Sequence, residues 1–247
     1  MQWSRTLRDW RRDMLFLTIR LAAPLMALQG PRIDGEPQSL PIPTRSLLTG
    51  LFGSALGHSR GDYASLQALQ DNMRVAVVVH RPGIEIDDYQ IAGLGKAYMR
   101  GPMWSSGTTI AEREGSQIKG LRPQHRPYRA DADMTAIVEL AGNSPAQADE
   151  ILSALDQPAR PLFIGRSSCP PATRIAGRMI DAVSLESAVL EVVRERPGEI
   201  YLPAEAATPS WGDLPLSIPG RRDWATYRHA GSDLYVCRPA PRPTADR

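Results

Sequence analysis

Gly165, Arg166, Ser167, Ser168, Cys169, Pro170 and Pro171 follow directly on a short apolar run, 161–164. They offer hydroxyls, backbone amides and a guanidinium within a few positions, a set that suits the oxygens of a phosphodiester. A Ser-rich turn with no ligand would have the same composition. A second anion site is suggested where Arg45 and Ser46 follow Thr44 at the start of a predicted helix. Unpaired N–H groups and the helix dipole favour negative charge there; a solvated arginine beside a cap is the plain alternative. Gly50, Gly53 and Gly57 lie in that helix and at its end. Glycine is costly in a helix interior, so its presence implies close approach by another backbone or by a ligand. Tight helix-on-sheet packing explains Gly53 as well as ligand contact does. The segment is not a Walker loop, because no Gly-Lys-Ser/Thr follows.

Between these regions, Tyr89, Tyr98, Trp104 and Tyr128 interleave with Arg100, Arg122 and Arg126. Aromatic rings stack on unpaired bases while arginines follow the phosphates; the same residues can also anchor a protein contact. From Lys96 to Arg129 seven basic residues face only Glu112 and Glu114, a local net charge of +5. His58, His80, His125 and His229 are scattered, with no metal-ligand spacing and no carboxylate pair suited to acid–base work. His125, with Tyr128 nearby, is the one candidate for ribonuclease chemistry. Cys169 has no neighbouring histidine and reads as a small packing residue.

The composition sets the frame. In 247 residues, 42 % are hydrophobic, enough for a real core, but only 6 % are aromatic, so that core must be mostly Leu, Val, Ile and Ala. A net charge of +2 does not by itself indicate nucleic acid. All the basic residues except Lys96 and Lys119 are arginine, whose planar fork fits phosphates and base edges; a GC-rich genome gives the same bias. Cys169 and Cys237 form neither a metal spacing nor a disulfide framework, and a reducing cytoplasm is the expectation. Arg20 interrupts the first apolar run, against a signal peptide, and no stretch is long enough to cross a membrane.

Residues 1–13 carry Trp3, Leu7 and Trp10 at helical spacing, and read either as a short amphipathic helix or as a start placed upstream of Met14. Leu15, Leu17, Ile19 and Leu21 alternate, predicting a half-buried strand; a Pro- and Gly-rich loop over 23–43 follows. Thr44 caps a helix whose apolar positions are Leu47, Leu48, Leu51, Phe52, Ala55 and Leu56, stopped by Gly57. A second helix over 62–70 leads to a strand over 74–80 and a turn at Arg81, Pro82 and Gly83. Residues 84–129 have no sustained period and are expected to form a functional insertion, a protruding β-hairpin. A strand follows over 132–140. Ser144 and Pro145 then open a helix through Leu155, and a strand over 161–164 ends at Gly165. The order β-α-β-β-α-β is ferredoxin-like, an α+β class. Further on, 185–193 reads as helix and 234–237 as strand.

Several of these segments resemble, in order, the CasD family of subtype I-E CRISPR Cascade complexes. The resemblance is carried by Leu21-Ala22-Ala23-Pro24-Leu25-Met26-Ala27, Pro43-Thr44-Arg45-Ser46, Gly50-Leu51-Phe52-Gly53-Ser54-Ala55-Leu56-Gly57 and Arg60-Gly61-Asp62. It continues in Ser65-Leu66-Gln67-Ala68-Leu69, Asp88-Tyr89-Gln90 and Gly165-Arg166-Ser167-Ser168-Cys169-Pro170. Gln90 stands where the family often has His, and Ser167 where it often has a basic residue. The resemblance covers roughly 14–171, and Trp224 with Leu234-Tyr235-Val236 extends it weakly. It implies a ferredoxin-like (RRM/RAMP-type) domain over 14–171 with a β-hairpin thumb within 84–129. A smaller C-terminal extension over 172–238 and a loose tail, 239–247, would follow. It implies a non-catalytic subunit that holds the 5′ handle of the CRISPR RNA without cofactor or metal. RNA contact would fall at Arg45, Ser46, Gly50, Arg166, Ser167, Ser168 and Cys169. Tyr89, Arg100, Trp104, Arg122, Arg126 and Tyr128 would touch RNA or the backbone subunit from the thumb. CasC backbone subunits and the large CasA subunit would be neighbours, with target DNA reached only through the complex. A relative in subtype I-C cleaves precursor RNA with a Tyr, Lys and His set; the best candidates for that set here are Tyr128, Lys119 and His125, which share no recognised motif.

Overall fold

The computed structural model describes residues 14–33, 36–93, 102–104, 110–112, 121–142, 145–211 and 215–239. The extension 1–13, Tyr98, Arg100, Lys119, Ser144 and residues 240–247 lie outside the described residues, as do the side chains of Trp104 and Arg122.

The alternating run near the start forms β1 (Met14–Met26). Its odd-numbered side chains Leu17, Ile19 and Leu21 are fully buried, but so is Phe16 on the opposite face. The strand is therefore covered on both sides instead of half-buried, because it runs through the middle of a sheet with helices on each face. Each such side chain removed from water contributes about 1.5–3 kcal/mol. Within the stretch expected to be loop, β2 (Gln29–Ile33) and β3 (Glu36–Ser39) pair as a hairpin.

Thr44 Oγ1 accepts from the Leu47 amide at 3.2 Å and opens α1 (Arg45–Ala55). Leu48, Leu51, Phe52 and Ala55 form its buried stripe, and Gly57, at φ +86°, ends it in a conformation that L side chains resist. Next come α2 (Tyr63–Asp71), β4 (Met73–Arg81), β5 (Ile84–Gly93), β6 (Pro102–Trp104), β7 (Ile110–Glu112), β8 (Leu121–Leu140), α3 (Pro145–Asp156) and β9 (Ala176–Ala182). The sheet order β4-β8-β1-β9 is antiparallel throughout. With α1 and α3 in the two crossovers this is the ferredoxin-like topology that the element order implied.

The fourth strand is not where it was expected. Residues 161–164 run as a loop, although Leu162 and Ile164 bury; Pro161 has no N–H to give a ladder. The sheet closes instead with β9, beyond the boundary expected at 171, paired from Met14↔Ala182 to Ile19↔Ala176. The C-terminal residues extend the same sheet. After α4 (Leu185–Glu195), β10 (Glu199–Pro203) joins the free side of β4, followed by the hairpin β11 (Leu216–Asp223) and β12 (Arg228–Arg238) in the order β11-β12-β10-β4. One core lies between the sheet and α1 with α3. The other, with Phe16, Val78, Ile137 and Ile200, lies under α4. Among the described residues no helix is long and apolar enough to cross a membrane.

The insertion forms a ribbon. β5 pairs the first half of β8 from Ile84↔Ala130 to Gly93↔Leu121, whereas the second half of β8 lies between β1 and β4. The two halves meet at Asp131, held at φ +58°. Pro123 and Pro127 remove N–H donors from the ribbon, which limits its pairing with further strands.

Where the halves of β8 meet, the buried Asp133 carboxylate accepts from Arg20 at 3.0 Å and from Arg196 at 2.7 Å. Burial alone would raise its pKa, but the hydrogen bonds and charges of the two guanidinium groups outweigh that and hold it below the usual aspartate range. The stability this brings is present above the unfolded aspartate value of about 3.9 and is lost as pH falls through the depressed folded value. Asp133→Asn is therefore expected to flatten the stability profile below about pH 4, measured by denaturant unfolding at a series of pH values.

Candidate nucleic-acid interface

The loop after residue 164 is stapled to the end of β1. The Ala27 amide donates to the Ile164 carbonyl at 3.0 Å, Ile164 N donates to Cys169 O at 2.8 Å, and Cys169 N donates to Arg166 O at 2.9 Å. Gly165 takes φ +92°, and a Cβ there would lie 2.1 Å from the Ala27 carbonyl oxygen, so no other residue fits. This tight closure turns Ser167 and Ser168 to solvent. Among the described residues nothing accepts from the Arg166, Ser167 or Ser168 amides, and they remain available to an anion.

The Arg166 guanidinium is fixed from three sides. It donates to Gln29 Oε1 at 2.7 Å and to the Tyr128 hydroxyl at 3.3 Å, and lies 5.4 Å from the Tyr128 ring centre. Ser168 Oγ is 3.4 Å from the same hydroxyl. Hydrogen bonding to Ser168, only partly opposed by burial and helped by Arg166, lowers the Tyr128 pKa. Tyr128 was expected to serve the thumb; its ring is instead buried with Ala27 and Cys169 at the root of the ribbon. Cys169 is corrected in the same way. Its side chain is fully buried and its N–H and C=O are both used inside the loop, the place of a packing residue.

Arg45 also departs from expectation. Its side chain is 7 % exposed and pairs with Asp233 of β12, itself 6 % exposed, at 3.0 Å. The guanidinium thus points into the protein, tying α1 to the C-terminal hairpin. What faces outward at the helix start is the Ser46 side chain, 3.2 Å from Thr44 Oγ1, and among the described residues nothing accepts from the Arg45 and Ser46 amides. The two further glycines separate in role. A Cβ on Gly53 would come 2.4 Å from Leu66 Cδ2, so Gly53 serves the packing of α1 on α2, whereas one on Gly50 would only touch Trp224 at 3.7 Å.

Ser46, Gly50, Gly165, Arg166 and Ser167 line one cleft of about 980 Å³. Two anion sites distant in sequence are thus walls of a single site. Its lining includes Arg60, Arg160, Arg166 and Arg222 with His58 and His229 and, among the described residues, no Asp or Glu. Sequence reasoning missed Arg60, Arg160, Arg222, Tyr227 and His229. Arg222 and Trp224 are a basic–aromatic alternation of the kind sought in the thumb, but nothing local says that β11 returns to α1. Among the described residues no group of His, Cys, Asp and Glu could hold a metal ion.

On the ribbon, Tyr89 is 55 % exposed and its ring lies 5.0 Å from that of His125, which pairs with Asp87. Arg126 is held by Gln124. His125 and Tyr128, three apart on β8, project to opposite faces of the strand. The Tyr, Lys and His set considered for cleavage is therefore not gathered by the ribbon, and Lys119 lies outside the described residues.

A ferredoxin-like antiparallel sheet with a hairpin insertion defines a protein of the α+β class. The pattern of the family described as CRISPR-associated protein (Cas_Cas5) matches residues 16–219, and the chain belongs to that family. It is 31 % identical over 160 residues to the CRISPR system Cascade subunit CasD of Escherichia coli (strain K12). That match covers 63 % of this chain and 66 % of the relative's length, just under two thirds. A chain of a solved CRISPR RNA-guided surveillance complex shares the fold with a TM-score of 0.63 at 23 % identity, over 91 % of this chain and 90 % of that one. A crystal structure of a Cas protein does so with a TM-score of 0.53 at 20 % identity, over 90 % and 92 %.

Proposed function

We propose that this chain is an RNA-binding, non-catalytic subunit of a cytoplasmic Cascade-type CRISPR complex, holding the 5′ handle of the guide RNA in the arginine cleft. The observation that carries the reading is that cleft: four arginines, an open helix start and the Arg166 and Ser167 amides, with no carboxylate among the described lining residues. Phosphates would be held by Arg166, Ser167, Ser168 and the Ser46 end of α1. The thumb residues Tyr89, Arg126 and the apolar Ile84 and Ile91, both exposed, would meet RNA or a CasC-type backbone subunit. A large CasA-type subunit would be the other neighbour, and target DNA would be met through the assembled complex.

Arg166→Ala is expected to cost about 1.5–3 kcal/mol of RNA binding, the range for a charge-assisted hydrogen bond. The slope of log K against log salt should flatten by about 0.7 for each phosphate of a single strand that is no longer neutralised. The deciding experiment incubates the protein with labelled repeat-containing precursor RNA, with and without chelator, and reads binding and cleavage on paired gels. Binding without cleavage is the expected result. Site-specific cleavage that Tyr128→Phe or His125→Ala abolishes would replace this reading with that of a processing ribonuclease.

A further inference from the structure

We propose that a second wall of the same cleft, built from Arg60, Arg222, Tyr227 and His229, is a second nucleotide site that takes an unpaired nucleotide of the same strand. The inference rests on the RNA-binding reading and adds to it a site and the chemistry of its ligand.

Nine of the described arginines sit in ion pairs with carboxylates. Arg60 and Arg222 do not. They are held on rings instead: the Arg60 guanidinium lies 5.9 Å from the centre of Tyr227, and that of Arg222 lies 5.4 Å from the centre of Trp224. The two rings meet edge to face at 5.9 Å. A carboxylate would position an arginine and also cancel its charge; a ring positions it and leaves the charge available. Burial lowers the pKa of Arg222; Tyr227 opposes this, and repulsion from Arg60 adds to it. An incoming anion would relieve that repulsion.

The wall is also set in advance. Gln70, buried on α2, accepts from the Arg222 amide at 3.1 Å and from the Trp224 indole at 3.2 Å, and donates to the Arg222 carbonyl at 2.7 Å. The Asp223 carboxylate accepts from the Ala225 and Thr226 amides and closes the turn. Tyr227 sits at φ +58°, where a bulky side chain is strained, and its hydroxyl donates to Arg60 O at 2.6 Å. Such strain persists where surroundings over-determine it, and its effect here is to bring Tyr227 beneath Arg60. Two uncancelled cations suit successive phosphates, while flat guanidinium faces and the partly exposed Tyr227 ring suit a base. Burial, then Arg222, lowers the His229 pKa, leaving a neutral imidazole that can meet a base edge. An acidic protein segment would use the charges but leave the flat faces idle.

The test is fluorescence anisotropy of the full chain with single-stranded RNA of the repeat sequence, intact and carrying one abasic residue at each position in turn. The proteins are wild type, Arg166→Ala, the double variant Arg60→Ala/Arg222→Ala and Tyr227→Gly. Tyr227→Gly suits the left-handed backbone and removes the ring together with its hydroxyl bond to Arg60 O, leaving both guanidinium groups in place. The double variant is expected to flatten the salt slope by about 1.4, the value for two phosphates of a single strand. One abasic position should weaken wild type about tenfold and leave Tyr227→Gly no weaker than it already is. If Arg166→Ala weakens binding while the other two variants bind as wild type, the second site is wrong and the first stands. If wild type shows no salt-dependent binding, both fall.

Discussion

Gly165→Ala is expected to lower stability by about 3 kcal/mol or more, from a strained backbone conformation and an overpacked contact together. The cause is local: a Cβ would lie 2.1 Å from the Ala27 carbonyl oxygen at φ +92°, so either the loop or the end of β1 must shift. In a chain of this size that corresponds to a fall in Tm of roughly 6–12 °C, read by differential scanning fluorimetry. The loss should not be confined to stability. The same turn aims the Arg166–Ser168 amides, so RNA binding by the folded fraction should also weaken, to a degree comparable with Arg166→Ala. A normal Tm together with normal RNA affinity would mean that the turn does not constrain the loop.

Asp233→Ala is expected to be at least as damaging, for the opposite kind of reason. It leaves the buried Arg45 guanidinium without its carboxylate, and Arg221, 2.7 Å from the same oxygen, loses its partner too. Removing one member of a buried pair costs about 3–5 kcal/mol, a fall in Tm of roughly 6–20 °C. The double substitution Arg45→Met/Asp233→Leu should recover most of that, because no buried charge is left uncompensated and Arg221, 45 % exposed, can turn to water. Since Arg45 does not face the cleft, RNA affinity measured well below Tm should change far less than for Arg166→Ala. A large loss of affinity at unchanged Tm would return Arg45 to the interface.

Much of the core was readable because its signals are local. Thr44 followed by an apolar helical stripe gave α1, and the alternation in 132–140 gave the inner half of β8. Side-chain pattern misled at 161–164, where Leu162 and Ile164 bury without joining a ladder, and at β9, whose bulge opposite Leu17 and Ile19 breaks the alternation. The candidate site was half readable. Gly165 to Ser168 and Ser46 carried their own chemistry in short motifs. Arg60, Arg222 and Tyr227 did not, because the C-terminal hairpin reaches α1 only through the placing of β10 beside β4. Arg45 was misread for the same reason: the aspartate that turns it inward lies on β12.

The bend at Asp131 has a mechanical meaning. Because β8 is one uninterrupted chain, the ribbon is a crank cut from the same bar as the sheet, not a flap on a hinge. Its ten paired residues on β5 give an arm of about 33 Å at roughly 3.3 Å per residue. A load at its far end is carried as torque into the strand lying against β1, the strand whose end anchors the Gly165 turn.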